Sequence, residues 1–218
     1  MVKRLALFAV TFFAVLVTQA QLNEGVAYYS VTYPSLKPEM RKYINVLPST
    51  MVFTFRHHMF VSEVLTSGSY SRTIGDARSR DLTILAEMKG RKVMVRRSGY
   101  NYEELKPKVF VTLSNETKMI AGYRCKKADV ITLDYENNTS NSVIWYCDSI
   151  GSQSFSYEQH YPQIKGLMME YTVKQGDIEM VYTVTKVEAK PVDKNVFVIP
   201  SSGFELMTDR EFMHLMNK

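Results

Sequence analysis

The sequence predicts a mainly β (α+β) protein, with a single domain of about ten antiparallel strands and two short helices. Three observations predict this class. Most segments from residue 24 onward alternate in polarity with a period of two, as β-strands do. Short polar turns that contain glycine or asparagine separate these segments at hairpin spacing. Helical spacing is found at two places, Pro38–Leu47 and the segment that follows Thr208.

The first predicted elements follow the chain from Glu24. A strand with aromatic residues on both faces runs from there to Pro34. A helix over Pro38–Leu47 begins at a proline, which the first helical turn tolerates. The segments Thr50–His57 and Met59–Thr66 form either one long strand or two.

Further strands are predicted in both halves of the chain. Lys89-Gly90-Arg91 is a strong hairpin signal, and Gly122 marks a bend or bulge. A capping box at Thr208 and Glu211 predicts the C-terminal helix. The segment Tyr70–Arg80 is polar and has no clear assignment. The remaining predicted strands are Leu82–Met88, Lys92–Arg97, Val109–Leu113, Tyr123–Leu133, Ser142–Cys147, Leu167–Val173, Ile178–Glu188 and Val196–Ile199.

The first twenty residues have the pattern of a cleavable signal peptide. Lys3 and Arg4 precede an apolar run, Leu5–Val17, that is shorter than the roughly 20 residues needed to span a bilayer. Thr18-Gln19-Ala20 then places small residues at the cleavage positions. An uncleaved N-terminal anchor is the alternative. We therefore expect a signal peptide over 1–20, one domain over 21–218, and export to the periplasm, the outer membrane or the medium, with no later membrane span.

The two cysteines of the chain, Cys125 and Cys147, are expected to form a disulfide because export exposes them to an oxidising compartment. The bond would close a loop of about 23 residues, worth about 3 kcal/mol. A hairpin turn centred on Glu136 places the two cysteines opposite each other. A turn centred on Asn138-Thr139 would put them out of register, and two free buried thiols are the other alternative.

Several motifs resemble those of a family of exported Bacteroidetes envelope proteins, domain-of-unknown-function family 4412, which is related to the GLPGLI family. They are I-A-G-Y-R-C-K-K-A (Ile120–Ala128), V-I-W-Y (Val143–Tyr146), I-K-G-L-M-M-E-Y (Ile164–Tyr171) and V-D-K-N-V-F-V-I-P-S-S-G-F-E (Val192–Glu205). The resemblance implies a fold similar to the lipoprotein-carrier half-barrel, in which one strongly curved antiparallel sheet carries helices on its concave face. It gives no indication of an activity, because the role of the family is itself largely undefined.

Two sets of side chains are candidates for binding. Met51, Phe53 and Phe55 share one face of a strand, and together with the many other methionines they suit either an adaptable apolar cavity or an ordinary core. Four cations are concentrated in one hairpin and suit either a solvated strand face or a patch for anionic lipids or glycans. The four cations are Arg91, Lys92, Arg96 and Arg97.

Other chemistry has little support in the sequence. The spacing of cysteine and histidine predicts no metal site, and no glycine-rich phosphate loop or other cofactor motif is found. The net charge of +5 is too small to indicate a nucleic-acid partner. A hydrolase would need a triad around His57, His58 or His160. Asp148-Ser149-Ile150 has the form of a short O-glycosylation motif, which is weak evidence for modification.

Three functions are therefore considered. The first is a non-enzymatic envelope protein that holds a hydrophobic ligand, a lipid or a lipidated partner in a half-barrel cavity. The second is a structural or interaction module that binds another envelope protein or an anionic glycan through the basic hairpin. The third is an unrecognised hydrolase. The sequence favours the first.

Overall fold

The computed structural model describes residues 21–98, 108–133, 139–151, 155–156, 161 and 163–216. The predicted signal peptide lies outside these residues. Among the described residues, no helix is long and apolar enough to cross a membrane.

The protein is mainly β, as predicted, and the strands in its described residues form one open sheet of twelve strands rather than about ten. All neighbours pair antiparallel except β12, which pairs parallel with β6. The strands are β1 Glu24–Thr32, β2 Thr50–Arg56, β3 Met59–Thr66, β4 Ser69–Asp76, β5 Asp81–Met88, β6 Arg91–Arg97, β7 Lys108–Ile120, β8 Tyr123–Leu133, β9 Thr139–Cys147, β10 Leu167–Gln175, β11 Ile178–Glu188 and β12 Glu205–Met207.

Two meanders make up the sheet. Strands β1 to β6 are neighbours in chain order, and so are β7 to β11. The antiparallel pairing of β1 with β11 joins the two meanders, since β1 also pairs with β2 on its other side. The order across the sheet is therefore β12-β6-β5-β4-β3-β2-β1-β11-β10-β9-β8-β7.

Two local predictions are wrong. The chain does not turn after Leu113, because an irregularity between Leu113 and Thr117 takes up the polar residues while β7 continues to Ile120. The segment predicted as the last strand begins in a 3₁₀ helix, Lys194–Phe197, because the Asp193 side chain accepts a hydrogen bond from the backbone N–H of Asn195.

Other turn predictions are refined. Thr50–Arg56 and Met59–Thr66 are two strands, separated at His57, whose φ is +54°. Gly122 lies in the two-residue turn between β7 and β8, where Ala121 and Gly122 both have positive φ. Lys89 and Gly90 adopt the same combination between β5 and β6, as their sequence predicts.

One face of the sheet, called the inner face, carries the main aromatic cluster. Phe53, Phe55 and Phe60 point to this face, and Phe155 packs on them from the segment that follows β9. The ring of Phe155 lies 5.6, 5.9 and 5.8 Å from the rings of Phe53, Phe55 and Phe60. Gly151 permits this position, since a Cβ there would lie 2.2 Å from the Phe155 ring.

The opposite face, called the outer face, has its own smaller cluster. Val61, Leu85 and Met94 are covered there by Val192 and Phe197. Phe197 is buried, as expected of a core residue, although its segment is not a strand.

The two predicted helices differ in outcome. The capping box is confirmed: Thr208 and Glu211 exchange hydrogen bonds at the start of helix α1, Asp209–Met216, and Phe212 packs onto the inner face. The Pro38 segment forms a 3₁₀ helix, Pro38–Val46, none of whose residues is buried. Its apolar residues therefore do not face the core as their spacing predicts.

We predict that Phe155→Ala lowers the free energy of unfolding by about 3–5 kcal/mol, because Phe155 is only 6% exposed and completes the aromatic cluster. Urea denaturation monitored by circular dichroism measures the change. Phe110→Ala is the control: Phe110 is 56% exposed on β7, and its loss should change the stability by less than about 0.5 kcal/mol. Equal effects of the two variants would contradict this account of the inner face.

Candidate functional site

The predicted cavity residues meet on the inner face but surround little space. Met51 and Phe53 line a cavity of about 60 Å³, whose other walls include Tyr29 and Tyr171. Phe55 is fully buried against Phe155 and lies outside this cavity. Drug-sized ligands usually occupy about 300–1,000 Å³. Phe155 therefore leaves a space of only a few water molecules at this position.

Tyrosine side chains pack around the small cavity. The Tyr29 hydroxyl donates a hydrogen bond of 2.7 Å to the carbonyl of Met168, and burial raises the pKa of Tyr29 well above its ordinary value. The rings of Tyr171 and Tyr182 stack with centroids 5.1 Å apart. These contacts stabilise the centre of the sheet. The tyrosine side chains are neutral at pH 7, so they place no charge there.

A larger space lies on the inner face beside α1. This space, called the α1 groove, has a volume of about 600 Å³, within the range of ligand sites. Strands β4 and β5, the β3–β4 turn, the end of the Pro38–Val46 helix and α1 surround it. The lining residues are Val46, Thr66, Ser67, Gly68, Ser69, Tyr70, Ser71, Thr73, Ile84, Met88, Lys89, Arg97, Phe212, Leu215 and Met216.

The α1 groove has two chemical parts. Its apolar part is formed by Ile84 and Phe212, which are buried, and by Leu215, which is partly buried against them. Its polar part consists of the hydroxyl groups of the β3–β4 turn and of Ser71 and Thr73. An elongated molecule with an apolar body and a polar end would match both parts.

Helix α1 is fastened over the groove by polar contacts at both ends. At its start, Arg97 Nε lies 2.7 Å from Asp209 Oδ1. Hydrogen bonds from Thr208 lower the pKa of Glu211. At its end, Lys89 Nζ donates to the carbonyl of Leu215 at 3.2 Å. A helix of eight residues is too short to be stable alone, so these contacts and Phe212 position this wall.

The four cations of the predicted anionic patch do not form one surface. Arg91 and Arg97 point to the inner face, whereas Lys92 and Arg96 point to the outer face, as their strand register requires. Three of the four are in ion pairs: Arg91 with Glu205, Lys92 with Glu87 and Arg97 with Asp209. A role of this hairpin in binding an anionic partner stays a prediction.

The predicted register of the cysteines is confirmed. Lys126 pairs with Tyr146, so the preceding Cys125 and the following Cys147 are opposite each other, as a turn centred on Glu136 requires. The predicted disulfide is not present in the structure, where both cysteines are buried free thiols. The Cys125 thiol donates a hydrogen bond to the carbonyl of Tyr123 at 3.4 Å, and Cys147 Sγ lies 3.1 Å from Ser149 Oγ. The neighbouring Cys125 and Ser149 lower the pKa of Cys147, whereas Cys147 and burial raise the pKa of Cys125.

The histidines give no evidence for a triad in the described part of the chain. His58 Nε2 lies 3.7 Å from Asp76 Oδ2, and its Nδ1 lies 3.3 Å from the Arg78 guanidinium. His57 is exposed in the β2–β3 turn, and His160 lies outside the described residues. No group of three or more metal-ligating side chains is found among the residues described.

Sequence reasoning missed most residues of the α1 groove. Met88, Phe212 and Met216 were recognised only as members of predicted elements, and the hydroxyl-rich β3–β4 turn was recognised only as a turn. Their common feature, an inner-face position at one end of the sheet, depends on the pairing of β3, β4 and β5. The capping box was the one local signal that could have placed a helix at this site.

Comparisons with known proteins inform the fold alone. No protein-family model and no curated protein sequence matches the chain. Two solved structures of PNGF-II, in the P21 and C2 space groups, are similar to it, each with a TM-score of 0.56 and 13% sequence identity. The similarity covers 90% and 89% of this chain. The chain spans only about a third of PNGF-II, 34% and 33% in the two crystal forms.

We predict that oxidation joins Cys125 to Cys147, because the strand register places the two residues opposite each other on β8 and β9. Thiol titration and intact mass should show the loss of both free thiols without dimer formation. Under these conditions Cys147→Ser should cost about 3 kcal/mol of unfolding free energy.

Reductant provides the control for this prediction. The entropic part of the difference between the wild type and Cys147→Ser should disappear when the disulfide is reduced. Two titratable thiols remaining in the oxidised, folded protein would contradict the prediction.

Proposed function

We propose that this protein is an exported, non-enzymatic binding protein that holds a single-chain amphiphile, such as a fatty acid, in the α1 groove. The observation that carries the proposal is the groove itself, whose volume of about 600 Å³ suits a small ligand. The small cavity at Met51 and Phe53 is one tenth of this size and is not the proposed site.

The distribution of polar and apolar groups supports an amphiphile over a sugar or a nucleotide. The hydrocarbon chain would lie against Ile84, Phe212 and Leu215, where it removes apolar surface from water. The polar end would lie near Lys89, whose ammonium group donates one hydrogen bond to the Leu215 carbonyl and has two further protons to donate. The hydroxyl groups of Thr66 and Ser69 line the same groove and are hydrogen-bonded to each other. A carboxylate is the headgroup that this set of donors fits best.

The architecture and location are part of the same proposal. We propose that the open sheet is the strongly curved half-barrel of family 4412, with the inner face on its concave side. The packing of both Phe155 and α1 on this one face supports the curvature. The signal-like residues 1–20 and the motifs around Ile120–Ala128 support export to the periplasm or outer membrane.

We predict that Ser71→Trp blocks ligand binding. Ser71 is half-buried on β4 and lines the groove, so an indole there would occupy the space of the ligand chain. Titration with a dansyl-labelled fatty acid should give saturable fluorescence with the wild type. The dissociation constant should rise at least about tenfold in the variant, since a few buried methylenes are lost from the contact.

Ser142→Trp is the matched control, because Ser142 is also a half-buried strand serine but lies on β9, away from the α1 groove. It should bind the probe like the wild type. Circular dichroism establishes that both variants are folded. An absence of probe binding by the wild type, or an equal loss in the two variants, would overturn the proposed site.

A further inference from the structure

The Pro38–Val46 helix exposes the residues that its sequence suggests should be buried. Tyr43, Ile44 and Val46 are 47%, 43% and 49% exposed, and no residue of the helix is buried. Scattered apolar residues are normal on protein surfaces. Three such residues within four positions of one short element are a local cluster of exposed apolar side chains, the kind of feature that marks an interaction site.

Helix α1 presents a second apolar surface beside the first. Met213 and Met216 are 53% and 43% exposed, although Phe212 of the same helix is buried. Val46 and Met216 both line the α1 groove, so each helix contributes an exposed apolar side chain to its wall. The exposed side chains Tyr43, Ile44, Val46, Met213 and Met216 are called the apolar rim.

Cations flank the apolar rim. Arg41 and Lys42 are exposed on the Pro38–Val46 helix, where Glu39 is the acidic residue. Lys42 Nζ lies 4.9 Å from the centre of the Tyr43 ring, which brings its charge next to the apolar surface. Lys89 lines the groove from the β5–β6 turn.

We propose that the apolar rim docks the protein on a lipid bilayer that contains anionic headgroups. Met, Ile, Val and Tyr side chains can enter the headgroup region, and adjacent cations then lie at the level of the phosphates. This arrangement also directs the opening of the α1 groove towards the membrane. The side chains of the apolar rim belong to two short helices and not to a strand, which favours a lipid surface over a peptide that adds a strand.

Vesicle co-sedimentation tests this surface directly. The full exported chain is mixed with vesicles of phosphatidylcholine alone or with about one third phosphatidylglycerol. Stronger binding to the anionic vesicles is expected, and it should weaken as salt is raised. Ile44→Asp should reduce the partition coefficient at least about tenfold, since an apolar contact is lost and a negative charge is added.

Phe110→Asp is the matched control: Phe110 is 56% exposed on β7, at the opposite end of the sheet from α1. It should bind vesicles like the wild type. The double change Arg41→Glu and Lys42→Glu should remove the preference for anionic vesicles. No vesicle binding by the wild type, or an equal loss in Ile44→Asp and Phe110→Asp, would overturn the proposal.

The same variants distinguish membrane docking from ligand binding. Ser71→Trp, which blocks the groove, should still bind vesicles, because Ser71 is not part of the apolar rim. Ile44→Asp should still bind the dansyl-labelled fatty acid in solution. A failure of probe binding with intact vesicle binding would therefore contradict the proposed ligand site and leave the membrane surface supported.

Discussion

The whole sheet depends on the close pairing of β1 with β11 and β2. Each meander is continuous by itself, and the two meet at the pair of β1 and β11. Gly25 makes this close approach possible, because a Cβ at this position would lie 2.5 Å from the Glu188 carbonyl oxygen and 3.3 Å from the Phe55 ring. The buried ring of Phe55 therefore lies beside the junction, and the aromatic cluster and the junction of the two meanders constrain each other.

A single sheet of this width has two faces to cover and few helices with which to cover them. The outer face uses Val192 and Phe197, and the inner face uses Phe155 at its middle and α1 at its end. Each of these covering segments is small, so the space on the inner face between Phe155 and α1 stays open. The α1 groove is thus a consequence of the limited number of covering elements, and its walls come from segments that the strand pairing brings together.

Much of the fold was predictable because hairpins carry local signals. The predictions of the Lys89-Gly90 turn and of the Thr208–Glu211 capping box are confirmed. The register of Cys125 and Cys147 follows from the position of one turn. One prediction failed because a nonlocal interaction decided the outcome: the polar residues after Leu113 suggested a turn, but pairing with β8 carries the strand past them. The capping box predicts the helix beside the α1 groove but not the groove itself, since no local pattern links Val46, Ser71 and Phe212.

The most informative failure concerns the Pro38–Val46 helix. Apolar residues at helical spacing predict a buried face because burial normally repays the cost of ordering a short helix. This helix has no buried residue, and its flanking contacts, such as the 2.6 Å ion pair of Lys37 with Asp177, are exposed and contribute little to stability. Its apolar side chains therefore stabilise the isolated protein little. The proposed bilayer surface would cover Tyr43, Ile44 and Val46, and the neighbouring cations match the negative charge of its headgroups.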